Sequence, residues 1–152
     1  MPRYVLTRDL SFFKQISKEL VEDVVDTSVV IYKISVYDTK TDIYGESPGG
    51  KVYKPGVQID CMIERSDQTS TYEGFGPDTQ YSVIFKFQRD RLQTANIYPE
   101  KGDIINWHDA YFEIGNVIEN QMPGGVYSNV YSIICETYMV RRSKLNIEER
   151  QR

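Results

Sequence analysis

Between Asp9 and Val24 the apolar residues Leu10, Phe13, Ile16, Leu20, Val21 and Val24 recur at spacings of three and four. That spacing puts them on one side of an amphipathic α-helix of roughly four turns, over about residues 9–25. Thr7 or Asp9 can cap its start, and Glu19, Glu22 and Asp23 fall on the opposite face with Lys18. A stripe of this kind has two destinations. It can lie across a sheet of the same chain and close one end of the core, or it can pack on a neighbouring subunit.

Beyond Asp26-Thr27-Ser28 the period changes from helical to two. Val29 to Tyr37 is β-branched and aromatic and reads as a first long strand. Val57, Ile59, Cys61 and Ile63 alternate with Gln58, Asp60, Met62 and Glu64, and Tyr81, Val83, Phe85 and Phe87 alternate with Ser82, Ile84, Lys86 and Gln88. Each is a strand with one buried face. Arg89 to Asn96 can form one or two helical turns. Asp103–Trp107 and Ala110–Ile118 then make a hairpin, with His108-Asp109 as the reversal and Gly115 as the site of a bulge. Val126 to Val140 is a last long strand, more apolar on its Tyr131, Ile133, Cys135, Thr137, Met139 face. Phe85, Ile114 and Ile134 lie mid-strand among apolar neighbours and are expected in the core.

Strands joined mostly by hairpin-length connections predict a mainly β fold. The expected architecture is a small antiparallel β-barrel with long protruding loops, one N-terminal amphipathic helix and a C-terminal arm. Residues 1–140 form a single domain in this reading, and 141–152 form the arm. The loops 38–56 and 66–79 exceed ordinary hairpin connections. They carry Tyr44, Tyr53, Tyr72 and Phe75, aromatics expected at contacts with neighbouring subunits. In the arm, Leu145 and Ile147 stand between basic and acidic clusters. A solvated tail and a segment that orders on a partner both fit this composition.

Composition narrows the chemistry. In 152 residues, 40% hydrophobic and 26% charged content are globular values. The net charge of -4 argues against a chain built mainly to grip phosphates. No apolar run reaches the ~20 residues of a membrane helix, so a soluble protein is expected. Cys61 and Cys135 are expected as buried, reduced thiols. The single histidine, His108, falls in a turn, which leaves nucleophilic triads without a base. Zinc would need about four ligands, and the His and Cys residues are too few. No phosphate-binding glycine loop is present. Asp38 and Asp42 lack the rest of a calcium loop. Asp60 and Glu64 on one strand would stand roughly 13 Å apart, too far to share a metal. No catalytic, cofactor-binding or metal-binding residue is therefore assigned. Arg141, Arg142, Lys144, Arg150 and Arg152, with strand tyrosines, leave a barrel that binds single-stranded nucleic acid open as an alternative, and a small nuclease as a further one.

Several short motifs occur in a telling order. They are Ile43-Tyr44-Gly45-Glu46-Ser47, Ile63-Glu64-Arg65 with Asp67-Gln68, Phe75-Gly76-Pro77-Asp78 and Phe87-Gln88-Arg89-Asp90. Pro99-Glu100-Lys101-Gly102-Asp103-Ile104-Ile105, Tyr111-Phe112-Glu113, Glu119-Asn120-Gln121 and Arg142-Ser143-Lys144-Leu145-Asn146-Ile147 follow. In this order the chain resembles neck proteins of contractile-tailed bacteriophages, the head-completion or stopper group. The resemblance implies a virion protein made in the host cytoplasm, without catalysis, cofactor or membrane. It implies a homo-oligomeric ring of six subunits that joins head to tail, between the portal-adaptor side and the tail-terminator side. Genomic DNA would pass through the channel as cargo, and an acidic lumen would repel its phosphates. Stopper, adaptor and tail-terminator rings all remain open, and the resemblance carries over no individual site residue.

Overall fold

The computed structural model of the protein describes residues 7–39, 50–65, 69–73, 76–121 and 130–141, together with Leu145 and Ile147. Helix α1 spans Thr7–Glu19 and runs on into a π-helical segment, Leu20–Val25. Asp26 ends it in the left-handed region at φ 44°, donating its N–H to the Val21 carbonyl at 3.2 Å. Aspartate adopts this conformation more readily than most residues because its short polar side chain can bond locally.

Strands follow as β1 (Ser28–Tyr32), β2 (Val57–Arg65), β3 (Thr69–Glu73), β4 (Gly76–Gln80) and β5 (Ser82–Gln88). Helix α2 (Arg89–Thr94) separates these from β6 (Ile104–Trp107), β7 (Ala110–Gln121) and β8 (Val130–Val140). Six strands close into a barrel in the order β1-β2-β5-β8-β7-β6, and β6 returns to pair with β1. Every ladder in it is antiparallel. Closure removes the outer edges of the sheet, so backbone polar groups along the paired registers are satisfied within it.

Inward positions follow the two-residue period. Ile59 and Cys61 of β2, Val83, Phe85 and Phe87 of β5, and Ile133 and Cys135 of β8 are buried together. Phe85 is the hub: its ring lies 5.7 Å from that of Phe112 and 6.3 Å from that of Trp107, both edge-on. Leu92 of α2 joins the same core. The β6–β7 turn is a two-residue hairpin in which His108 and Asp109 have φ of 48° and 62°. Positive φ at both central residues is the type I′ pattern, whose twist matches that of the strands. The register slips between Ile114 and Asn116, so the bulge does sit at Gly115. At Gly56, just before β2, an added Cβ would meet Val30 Cγ1 at 2.4 Å, so only glycine lets the chain pass β1 there.

Four expectations change. The first strand stops at Tyr32 rather than Tyr37. Ser35 accepts from both the N–H and the hydroxyl of Thr39 and donates its own hydroxyl to Asp38, so side chains turn the backbone before it can extend. Tyr37 is left 99% exposed. In the stretch 66–79 the described residues are not irregular: β3 and β4 form a two-stranded ribbon, with Pro77 opposite Tyr72, while 66–68, 74 and 75 lie outside the described residues. Proline is tolerated there because a lone ribbon is all edge. Ile134 is only half-buried, since Ile133 and Cys135 take the inward positions and period two turns Ile134 outward. The helix stripe, finally, is not buried on the barrel. Phe13 is 57% exposed and Val24 72%, whereas Val21 is 7% exposed. Of the remaining loop residues, 40–49 lie outside the described residues.

Phe85→Ala should cost about 3–5 kcal/mol in urea unfolding, because it empties the centre of the aromatic cluster. Ile134→Ala on the neighbouring strand should cost less than about 1 kcal/mol. Equal losses for the two would contradict this inward–outward assignment.

Candidate functional site

Two features of the described surface stand out. The first is the open face of α1. The helix is anchored through its C-terminal end, where the π segment meets β2. Arg91 of α2 pairs with Asp60 at 2.5 Å and with Glu22 at 2.8 Å, and Lys14 reaches Asp90 at 3.8 Å. Glu22 Oε1 is buried and meets Arg91 as an ion pair rather than as an aligned hydrogen bond. The turn that faces the barrel is thereby fixed. Phe12, Phe13, Ile16, Leu20 and Val24 are left exposed.

The second feature is a recess where β1 is too short. Ser28, the first residue of β1, lies opposite Asp60, while β2 continues to Arg65. On the other side β6 ends at Trp107. The gap between these strands is a recess of about 500 Å3 lined by Val25, Thr27, Met62, Ile63, Arg65, Trp107 and His108. The Arg65 guanidinium lies 4.8 Å from the centre of the Trp107 ring, a cation–π distance. His108 meets the same ring edge-on at 4.8 Å.

Beyond Tyr32 of β1 the barrel is held shut by a polar cluster. Asp103 is fully buried. It accepts the N–H groups of Ile34 at 3.0 Å and Glu100 at 2.8 Å, and Lys33 Nζ lies 2.9 Å away. Lys33 also bonds Glu100 at 2.7 Å and the Tyr98 carbonyl at 2.7 Å. Burial by itself pulls the Lys33 ammonium down, but Glu100 and Asp103 outweigh it, and its pKa lies above the ordinary lysine value. Tyr53 bridges Ile34 in an isolated antiparallel pair. Burial, reinforced by Glu113, Asp103 and Tyr138, pushes its hydroxyl up to about 12.

The expected contact residues separate. Tyr53 is half-buried beside this cluster, and Leu145 and Ile147 are half-buried. Tyr72 lies in β3. Tyr44 and Phe75 lie outside the described residues. Asp103, Arg91 and the Arg65–Trp107 pair carried no sequence signal beyond their residue types. Gly102, with φ 91° in the Glu100–Asp103 turn, was the available clue that Asp103 is held in a defined turn. Cys61 and Cys135 are free and buried, and burial raises both thiols to about 12, which leaves them protonated and unreactive. Tyrosines that could stack bases face acids instead: Tyr98 donates to Glu119 at 2.8 Å, and Tyr138 bonds Glu113.

Asp103→Ala should cost about 3–5 kcal/mol, since it strands two backbone donors and an ammonium. The alkaline limit follows from the raised values of Lys33 and Tyr53. The Tyr53 contribution is complete below about pH 10 and is lost as pH rises towards 12, and that of Lys33 is lost in the same direction, above the ordinary lysine range. Melting temperatures should therefore fall over that window, and fall less for Tyr53→Phe. A wild-type melting temperature flat to the top of the window would refute the assignment.

No protein-family model matches the chain. No curated protein matches it either. Among solved structures it is similar to a chain of the virion of a native gene transfer agent particle, with a TM-score of 0.46 and 11% identity over 75% of this chain and 94% of that one.

Proposed function

We propose that this chain is a structural, non-enzymatic subunit of a bacteriophage virion. In this reading it forms a homo-oligomeric neck ring that joins head to tail and borders the DNA channel. The observation that carries an assembly role is the open face of α1. An amphipathic helix normally buries its stripe, and this one leaves Phe12, Phe13, Ile16, Leu20 and Val24 to solvent. A contiguous apolar surface of this kind marks a protein–protein contact. Each copy would carry the helix on one side and present a different surface to its neighbour's helix. Such head-to-tail contacts close into rings when the rotation permits.

Placement in the neck rests on the ordered sequence motifs. The run from Pro99 to Ile105 supplies the Asp103 turn and the start of β6, and Tyr111-Phe112-Glu113 supplies β7 beside it. These two motifs thus fall on the barrel framework, whereas α1 carries none of the motifs. Tyr53, Tyr72, Leu145 and Ile147, with Tyr44 and Phe75, remain the proposed secondary contacts. Six subunits, a stopper position and flanking rings on the portal-adaptor and tail-terminator sides are the specific form of the proposal.

Changing Phe13 and Leu20 together to Ser should leave the monomer's stability within about 0.5 kcal/mol per site, as both are exposed. In a phage lacking the wild-type chain, the folded variant should leave heads and tails unjoined. Normal particles assembled from that variant would reject the helix as the assembly surface.

A further inference from the structure

The recess beside β1 has an unusual donor balance. Its lining contains no acidic residue, in a chain whose net charge is -4. Among the described residues, Arg65 takes part in no ion pair. The indole Nε1 of Trp107 is buried without a hydrogen-bond acceptor. Val25, Met62 and Ile63 supply apolar wall.

From this geometry we propose that the recess is a docking site for an aliphatic side chain followed by a carboxylate, supplied by residues 145–149 of a second copy of this chain. A single guanidinium matches one carboxylate, whereas a nucleic-acid backbone calls for several cations in a row. The stretch Leu145-Asn146-Ile147-Glu148-Glu149 has the required chemistry. It follows β8, whose last residue Val140 pairs with Tyr111, next to the Ala110 that pairs with Trp107. The end of β8 therefore lies at the rim that holds the recess. Neither Leu145 nor Ile147 of the same chain lines that recess, which leaves it open to another copy. This contact is independent of the virion reading, because any assembly of the chain could use it.

Trp107 is the one tryptophan, so its fluorescence reports the recess alone. The full chain is titrated with a capped peptide of residues 145–150, read by Trp107 emission and by calorimetry. Saturable binding is expected, and Glu148→Gln with Glu149→Gln in the peptide should weaken it at least about tenfold. Arg65→Gln in the protein should weaken binding by a similar factor while leaving its melting temperature unchanged. Absence of binding, or equal binding of the Gln peptide, would overturn the proposal. So would a single-stranded oligonucleotide that binds more tightly than the peptide and loses its affinity in Arg65→Gln, since that would make the recess a phosphate site.

Discussion

Closing this barrel depends on a buried carboxylate. The ladder that joins β1 to β6 comprises Val30, Ile31 and Tyr32 against Asn106, Ile105 and Ile104, and it brings together the two strands that complete the circle. Asp103 sits one residue beyond its end and continues the seam by other means, taking the Ile34 N–H that a longer β-strand would have paired. Its backbone also joins β7, since the Ile114 N–H donates to its carbonyl at 2.9 Å. An isolated buried carboxylate would cost several kcal/mol, but here Lys33 and two N–H groups satisfy it. The side chain is therefore specific to this closure: a register slip would separate the charge from its donors.

The short β1 has opposite consequences at its two ends. After Tyr32 the missing ladder is replaced by the Asp103 cluster, and the barrel is tight. Before Ser28 nothing of the strand remains, and β2 runs on beside a gap that Trp107 and Arg65 partly cover. The π segment and Thr27 enter this gap, so the open face of α1 and the recess meet through Val25. Both unfilled surfaces of the described chain thus arise from one cause, the early departure of the chain from the sheet into the helix.

What could be read in advance follows from the range of the interactions. Period two identified the inward faces of β2 and β5, because alternation is set by the pleat and needs no partner. His108-Asp109 and Gly115 were legible as turn and bulge for the same local reason. β1 was read too long because the Thr39 hydroxyl captures the Ser35 carbonyl, and both residues also bond the backbone of a tertiary neighbour, Val52, that no local pattern reveals. Ile134 was misplaced by counting apolar neighbours instead of keeping the period. The β3–β4 pair was hidden by Gly76, Pro77 and Asp78, residues disfavoured in strands yet acceptable in a ribbon with no inner strand. The recess was illegible altogether, since Arg65 and Trp107 are far apart in sequence and meet only across the gap.

The proposed assembly surface, the helix stripe, lies outside the core. The barrel's buried cluster runs through β1, β2, β5, α2, β6, β7 and β8, and no residue of α1 belongs to it. Substitutions on the open helix face therefore leave the fold's main source of stability untouched, and substitutions in the cluster leave the helix face unaltered. An exposed apolar stripe promotes unspecific association in a protein that never covers it. Here Arg91 pairs with Glu22 of the π segment and Lys14 reaches Asp90, which links the helix to α2 beside the barrel. A rigid apolar face loses less conformational entropy on docking than a segment that must first order. Folding of the subunit and joining of subunits can then proceed as separate steps, which an assembly built from preformed parts requires.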